Sequence, residues 1–173
     1  MAEFTTKFAK KFKLKFVFAS KRYKYSKLYP ADLFKQEIDF FKRYMNKDNF
    51  EYLLNNINLK ENFFSSYLAM FQSKVAVGTQ STLLRDKIGV GEKILSCNLT
   101  GLKIQDFPLS GICTINNCSY EQFEQRLKEI LNISSEEYFN RIDQDKKFVM
   151  EFHSEFGAID KTREGIDKIL KRL

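Results

Sequence analysis

The residues best suited to bind a ligand form a short turn between a predicted strand and a predicted helix, Gly78-Thr79-Gln80-Ser81-Thr82. Gly78 lets the backbone bend and approach a ligand closely. Ser81 and Thr82 begin the helix, so their backbone N–H groups have no intrahelical acceptor, and the helix dipole adds about half a positive charge there. Together with two hydroxyl groups, these amides make a candidate phosphate site. The spacing is neither that of a P-loop nor that of a GxGxxG fingerprint. An ordinary Ser/Thr helix cap after a buried strand therefore remains an alternative explanation of the same residues.

Other residue types offer little catalytic or metal chemistry. The chain has one histidine, His153, and three cysteines, Cys97, Cys113 and Cys118, with no CxxC pair. This pattern argues against a zinc site and against a disulfide framework, and favours buried free thiols. Neither a Ser-His-Asp arrangement nor a carboxylate dyad is evident, so no catalytic residue is assigned. We expect no metal and no cofactor.

The predicted elements alternate between helix and strand along one domain, residues 1–173. This order predicts an α/β fold: a Rossmann-like parallel sheet with helices on both faces. Ligands bind beyond the carboxyl ends of the strands in such sheets, which is where the turn lies. Capping boxes are predicted at Asp48/Glu51, Ser119/Gln122 and Ser134/Glu137. The predicted strands are 14–19, 74–77, 93–97 and 111–115, and the helices are 4–12, 32–45, 48–57, 65–71, 81–88, 119–131, one from 134, 145–155 and 158–172.

The positive charge is concentrated at the start of the chain. Residues 1–30 hold nine basic residues and one acid, whereas the net charge of the whole chain is only +7. Such a segment suits nucleic acid, an anionic membrane or a phosphorylated ligand. Lys21 and Arg22 follow the first predicted strand, where they would neutralise phosphates across the same crevice, although a solvated basic loop explains them equally well. The absence of a signal sequence or a membrane-length apolar run predicts a cytoplasmic location, with peripheral contact to the inner membrane face left open.

The stretch Lys74 to Cys97 resembles the donor half of GT-B glycosyltransferases, in particular those of surface-carbohydrate and polysaccharide biosynthesis. The shared pattern is a strand ending in Gly-Thr-x-Ser-Thr, a helix beginning Leu-Leu-x-Asp, and a Gly-bounded turn into a strand Lys-Ile-Leu-Ser. The segments Ser66 to Phe71 and Asp106 to Cys113 resemble the flanking elements. The resemblance covers about residues 10–150, and 145–173 would form additional C-terminal helices.

The resemblance implies a nucleotide-activated sugar as the substrate. Gly78, Thr79, Ser81 and Thr82 would line its phosphate, with Ser81 and Thr82 donating through amide and hydroxyl groups. Asp86 occupies the position at which the family usually has a Glu that accepts hydrogen bonds from the ribose hydroxyls. The Asp side chain is one methylene shorter than that of Glu.

In GT-B enzymes the reaction takes place in the cleft between two Rossmann-like domains. A chain of 173 residues is long enough for one such domain. The resemblance therefore implies that transfer needs an acceptor domain, supplied by another protein or a homo-oligomer. Two alternatives stay open. One is a basic nucleic-acid-binding module whose aromatic residues would stack on bases: Phe12, Phe16, Tyr23, Tyr25 and Tyr29. It is disfavoured because Phe16 lies in a predicted strand and is better explained as core. The other is a non-catalytic interaction protein with a vestigial nucleotide site.

Overall fold

The computed structural model describes residues 1–19, 31–57 and 65–143, and within them the chain forms an α/β fold. Lys21, Arg22 and the predicted helices 145–155 and 158–172 lie outside these residues. No helix in the described ranges is long and apolar enough to cross a membrane. The helices are α1 (Ala2–Lys11), α2 (Ala31–Tyr44), α3 (Lys47–Leu54), α4 (Ser65–Gln72), α5 (Thr82–Gly89), α6 (Tyr120–Asn132) and α7 (Ser135–Asn140); the strands are β1 (Ala76–Gly78), β2 (Ile94–Asn98) and β3 (Thr114–Asn116).

The three described strands form one parallel sheet in the order β1-β2-β3. Gly78 at the end of β1 lies opposite Ser96, and Asn98 at the end of β2 lies opposite Asn116. The predicted parallel pairing of 74–77 with 93–97 is confirmed, with bounds shifted by one or two residues. All three carboxyl ends therefore meet at one edge of the sheet.

The central strand β2 is buried along all five of its residues. Successive side chains of a strand point to opposite faces, so both faces of β2 are covered. Helix α5 contacts both β1 and β2. The core around the strand combines residues of α1, α5, α6 and α7 with those of β2, and its fully or nearly buried members include Phe8, Ile88, Ile94, Leu95, Phe123, Ile130 and Tyr138.

The predicted strand at 14–19 is wrong. Only Phe18 makes a β-bridge, to Ile57, with its N–H donating to the Asn56 carbonyl. The segment packs instead on the helices that follow it: the Phe16 ring stacks on Tyr52, with centroids 6.3 Å apart. An apolar, Phe-rich run has a high strand propensity, but its composition does not specify a partner. Here its aromatic rings pack on α2 and α3, and no described strand pairs with it along its length.

Of the three predicted capping boxes, one forms in full, one forms in half and one is wrong. Ser119 and Gln122 form the predicted reciprocal box at α6. Ser134 accepts a hydrogen bond from the Glu137 N–H at α7. The box at Asp48 is wrong, because Asn46 is the N-cap of α3 and its side chain accepts from the Asp48 N–H. Asparagine caps as well as aspartate does, so the earlier residue takes the role.

Two buried lysines hold helix ends in place. The Lys87 ammonium donates to the carbonyls of Met70 and Ser73 at the end of α4 and forms an ion pair with Glu92. The Lys93 ammonium donates to the Ile130 carbonyl near the end of α6. Positive charge at these carbonyls complements the helix dipole and satisfies acceptors that no helix N–H reaches.

The Tyr138 hydroxyl completes the hydrogen bonding of β2. It accepts from the Ile94 N–H at 3.1 Å and donates to the Ile94 carbonyl at 2.7 Å, and the side chain is fully buried. It thereby takes the place of a neighbouring strand where β3 does not reach. Removing this hydroxyl would leave two buried backbone groups without a partner.

We expect the substitution Tyr138→Phe to lower the free energy of unfolding by about 1–3 kcal/mol, the range for buried polar groups left unsatisfied. Urea denaturation monitored by circular dichroism measures it. The matched control is Tyr44→Phe, because the Tyr44 side chain on α2 is 66% exposed. Equal denaturation midpoints for the two variants would show that the Tyr138 hydroxyl contributes nothing.

Candidate functional site

The predicted turn lies at the carboxyl edge of the sheet, between β1 and α5. Thr79 follows β1 directly, and its hydroxyl lies 3.3 Å from the Cys97 carbonyl of β2. The same hydroxyl lies 3.6 Å from the Met1 thioether at the start of α1. Thr79 thus joins the ends of β1 and β2, and α1 begins beside them.

Ser81 is the N-cap of α5 and differs from the serine caps of α6 and α7. Within the described residues its side chain accepts no capping hydrogen bond. The Leu84 and Arg85 N–H groups donate to the Ser81 carbonyl at 3.1 and 3.4 Å. The hydroxyl of Ser81 and the amides of Thr82 and Leu83 are the donors of this first turn that remain for a ligand.

Gly78 leaves room for a neighbouring side chain and does not adopt the left-handed backbone conformation. A Cβ placed on it would lie 3.0 Å from Cδ1 of Leu84, a buried residue of α5. Positive φ is found instead at Gly91, which follows α5. A larger residue at position 78 would therefore require the Leu84 side chain of α5 to shift.

The remaining predicted residues lie further from the turn or outside the described residues. Asp86 is one helical turn beyond Thr82 on α5, and its carboxylate accepts a hydrogen bond from the Tyr67 hydroxyl of α4 at 3.4 Å. The structure thus brings Gly78, Thr79, Ser81 and Thr82 together and directs Asp86 toward α4.

A polar network at the ends of β2 and β3 was not predicted as part of the site. The side-chain amides of Asn98 and Asn116 both donate to Oδ1 of Asp106, at 2.7 and 3.0 Å. Asn98 is buried, and its own Oδ1 accepts from the N–H and hydroxyl of Thr100. The available sequence signal was three polar residues placed at or after strand ends, which is weak because loops are commonly polar.

A separate groove between α1 and α6 gathers lysines of the basic segment. Lys11 lies 2.9 Å from a Glu124 carboxylate oxygen, and Lys128 lies 3.5 Å from the same oxygen. The Lys7 ammonium sits over the Tyr120 ring, 3.8 Å from its centre. The groove encloses about 350 Å³ and is lined by Lys7, Lys11, Tyr120, Glu121, Glu124, Gln125 and Lys128. Carboxylates neutralise much of its positive field, which weakens the case for nucleic-acid binding on this face.

Two buried thiols belong to the core around the sheet: Cys97 lies in β2, and Cys113 directly precedes β3. Burial, and next to it the Cys118 thiol, raises the pKa of Cys97 to about 12. Burial also raises the pKa of Cys113 to about 12. Both are free cysteines with almost no exposure, so they are neutral core residues and not nucleophiles at neutral pH.

No protein-family model, curated protein or solved structure matches this chain. The residues and their geometry are therefore the basis for assigning a function.

The raised thiol pKa values predict a loss of stability in alkaline solution. An unfolded cysteine ionises near its ordinary pKa of 9.0, whereas folded Cys113 keeps its proton to about 12. Between these values the unfolded chain binds fewer protons, so the free energy of unfolding falls as pH rises, by at most about 1.4 kcal/mol per pH unit for each thiol.

Urea denaturation from about pH 8 to about pH 11 measures this slope. We expect Cys113→Ala to be less stable than wild type at neutral pH but to lose stability less steeply above pH 9. Leu109→Ala is the control, because it removes a buried side chain that has no ionisable group and should leave the slope unchanged. A Cys113→Ala slope equal to that of wild type would contradict the argument.

Proposed function

We propose that this domain binds the phosphate of a nucleotide-activated sugar at the turn between β1 and α5, as the donor half of a GT-B glycosyltransferase of surface-polysaccharide biosynthesis does. Sugar transfer would then need an acceptor domain beside it. The chain would be a transferase component, with the nucleotide sugar as substrate and no cofactor.

The observation that carries the proposal is the N-terminus of α5. It follows directly on a parallel strand, and in the described residues its N-cap hydroxyl is not used for capping. Thr82 is exposed at the same end. A hydroxyl and two amides at a helix start, with the dipole behind them, form a cluster of donors that suits a phosphate.

The rest of the fold supports the same position for a ligand. In open parallel sheets, ligands bind beyond the carboxyl ends of the strands, and the ends of β1, β2 and β3 meet at this edge. Helix α5 packs against both β1 and β2, which supports donors that are positioned before a ligand arrives. Preorganised donors bind an anion without a further ordering cost.

We expect the double variant Ser81→Ala/Thr82→Ala to bind the preferred nucleotide about tenfold more weakly or worse. Each lost hydrogen bond to a charged group contributes about 1.5–3 kcal/mol. Its stability should change little, because the Ser81 side chain does not cap α5. Isothermal titration calorimetry with CMP, UDP and GDP measures the affinity.

The matched control is Ser134→Ala/Ser135→Ala, which removes two hydroxyls from the start of α7. Ser134 does cap its helix, so this variant should lose about 1 kcal/mol of stability and keep its nucleotide affinity. If wild type binds a nucleotide and the Ser81/Thr82 variant binds it equally well, the phosphate lies elsewhere. If wild type binds none of the three, the proposal fails for this domain by itself.

A further inference from the structure

The carboxyl edge of the sheet has two halves of different chemistry. The half next to α5 offers hydrogen-bond donors: the Ser81 hydroxyl and the first amides of the helix. The half formed by the ends of β2 and β3 carries the carboxylate of Asp106. A phosphate is attracted to the first half and repelled by the second, because like charges at short range are unfavourable.

Asp106 is held in a fixed orientation with one oxygen available. Both amides, from Asn98 and Asn116, donate to Oδ1, and in the described residues Oδ2 accepts no hydrogen bond. The residue is half-buried, so a ligand at the edge can reach it. A fixed carboxylate oxygen is an acceptor and not a donor, and it therefore selects hydroxyl groups over phosphate.

Two exposed aliphatic residues occur in the loop that leads to Asp106. Leu102 is 59% exposed and Ile104 is 77% exposed. Leu102 belongs to the same network, because its carbonyl accepts from the Asn98 side-chain amide at 3.0 Å. A carboxylate next to apolar surface suits a ring that has hydroxyl groups on its edge and C–H groups on its face.

We propose that Asp106 accepts hydrogen bonds from the hydroxyl groups of a sugar ring while the phosphate lies at α5. This rests on the proposed nucleotide-sugar site and assigns its polarity: phosphate at the β1 side, sugar ring at the β2 and β3 side. Asp106 determines specificity and takes no part in bond breaking. The ring is either the ribose of the nucleotide or the transferred sugar, which share this chemistry.

The test is Asp106→Asn, which keeps the size of the side chain and an oxygen for the Asn98 amide but removes the charge. Calorimetry compares wild type and variant on the nucleotide of the CMP, UDP and GDP panel that wild type binds, its 2′-deoxy analogue and its sugar conjugate. If Asp106 binds the ribose, wild type prefers the ribonucleotide about tenfold over the deoxy form and the variant loses that preference. If it binds the transferred sugar, the variant loses the advantage of the sugar conjugate over the free nucleotide.

Two controls separate recognition from loop damage. Asp39→Asn removes a charge from an exposed position on α2 and should change neither preference. Asn116→Ala removes one of the two amides that orient Asp106 but keeps the carboxylate, so it should weaken the preference less than Asp106→Asn does. The inference is overturned if Asp106→Asn stays folded with both preferences intact, or if Asn116→Ala loses as much as Asp106→Asn. Loss of nucleotide binding in Ser81→Ala/Thr82→Ala with no effect of Asp106→Asn would overturn this inference and leave the proposed function standing; a wild type that binds no nucleotide overturns both.

Discussion

The burial of β2 on both faces is the constraint on which the rest of the structure depends. A parallel strand with five buried residues needs cover on each side and a partner for every backbone polar group. Neighbouring strands satisfy most of these groups, and Tyr138 supplies the partner for Ile94 where the sheet stops. Lys93, which directly precedes the strand, holds the end of α6 against it. The helices are thus arranged around one short strand.

The same constraint creates the candidate site. Because β2 is longer than β1, its last residues extend past Gly78 and meet the turn through Thr79. The chain must then leave the sheet in polar loops, since a buried strand end exposes backbone groups that need partners. The buried Asn98 side chain supplies hydrogen-bond partners for backbone groups of the loop after β2, namely the Thr100 N–H and the Leu102 carbonyl. The Leu102 and Ile104 side chains of this loop are exposed to solvent. The residues that complete the hydrogen bonding at the strand ends are thus also the ones that border the candidate ligand site.

Within the residues that the structure describes, local signals in the sequence were sufficient for the helices, the parallel strand pair and the position of the turn between β1 and α5. Capping at Ser119 depends on residues three positions apart, and the turn at Gly78 to Thr82 depends on five consecutive residues. Long-range partnerships were not predictable in this way. The segment 14–19 has strand composition but packs on α2 and α3, because composition does not identify a partner.

The polar residues show the same limit of sequence reasoning. In the sequence, Lys87 and Lys93 look like ordinary surface lysines. Only the folded structure places the carbonyls of Met70 and Ile130 at hydrogen-bond distance from their ammonium groups. Asp106 acquires its fixed orientation from two asparagines on two different strands. The position of the turn, which one segment forms, was thus predictable from the sequence, and the Asp106 network, which three segments form, was not.

Lys87 has a mechanical consequence for the helices beside the site. It lies on α5, yet its ammonium is bound to the last carbonyls of α4, and it is fully buried. Leu84, one turn earlier, is fixed against Gly78 of β1. Any displacement of α5 must therefore carry α4 with it or break buried charge-assisted hydrogen bonds. Lys87 therefore links α5, whose N-terminus forms part of the turn, to α4, a helix that contributes no residue to the turn.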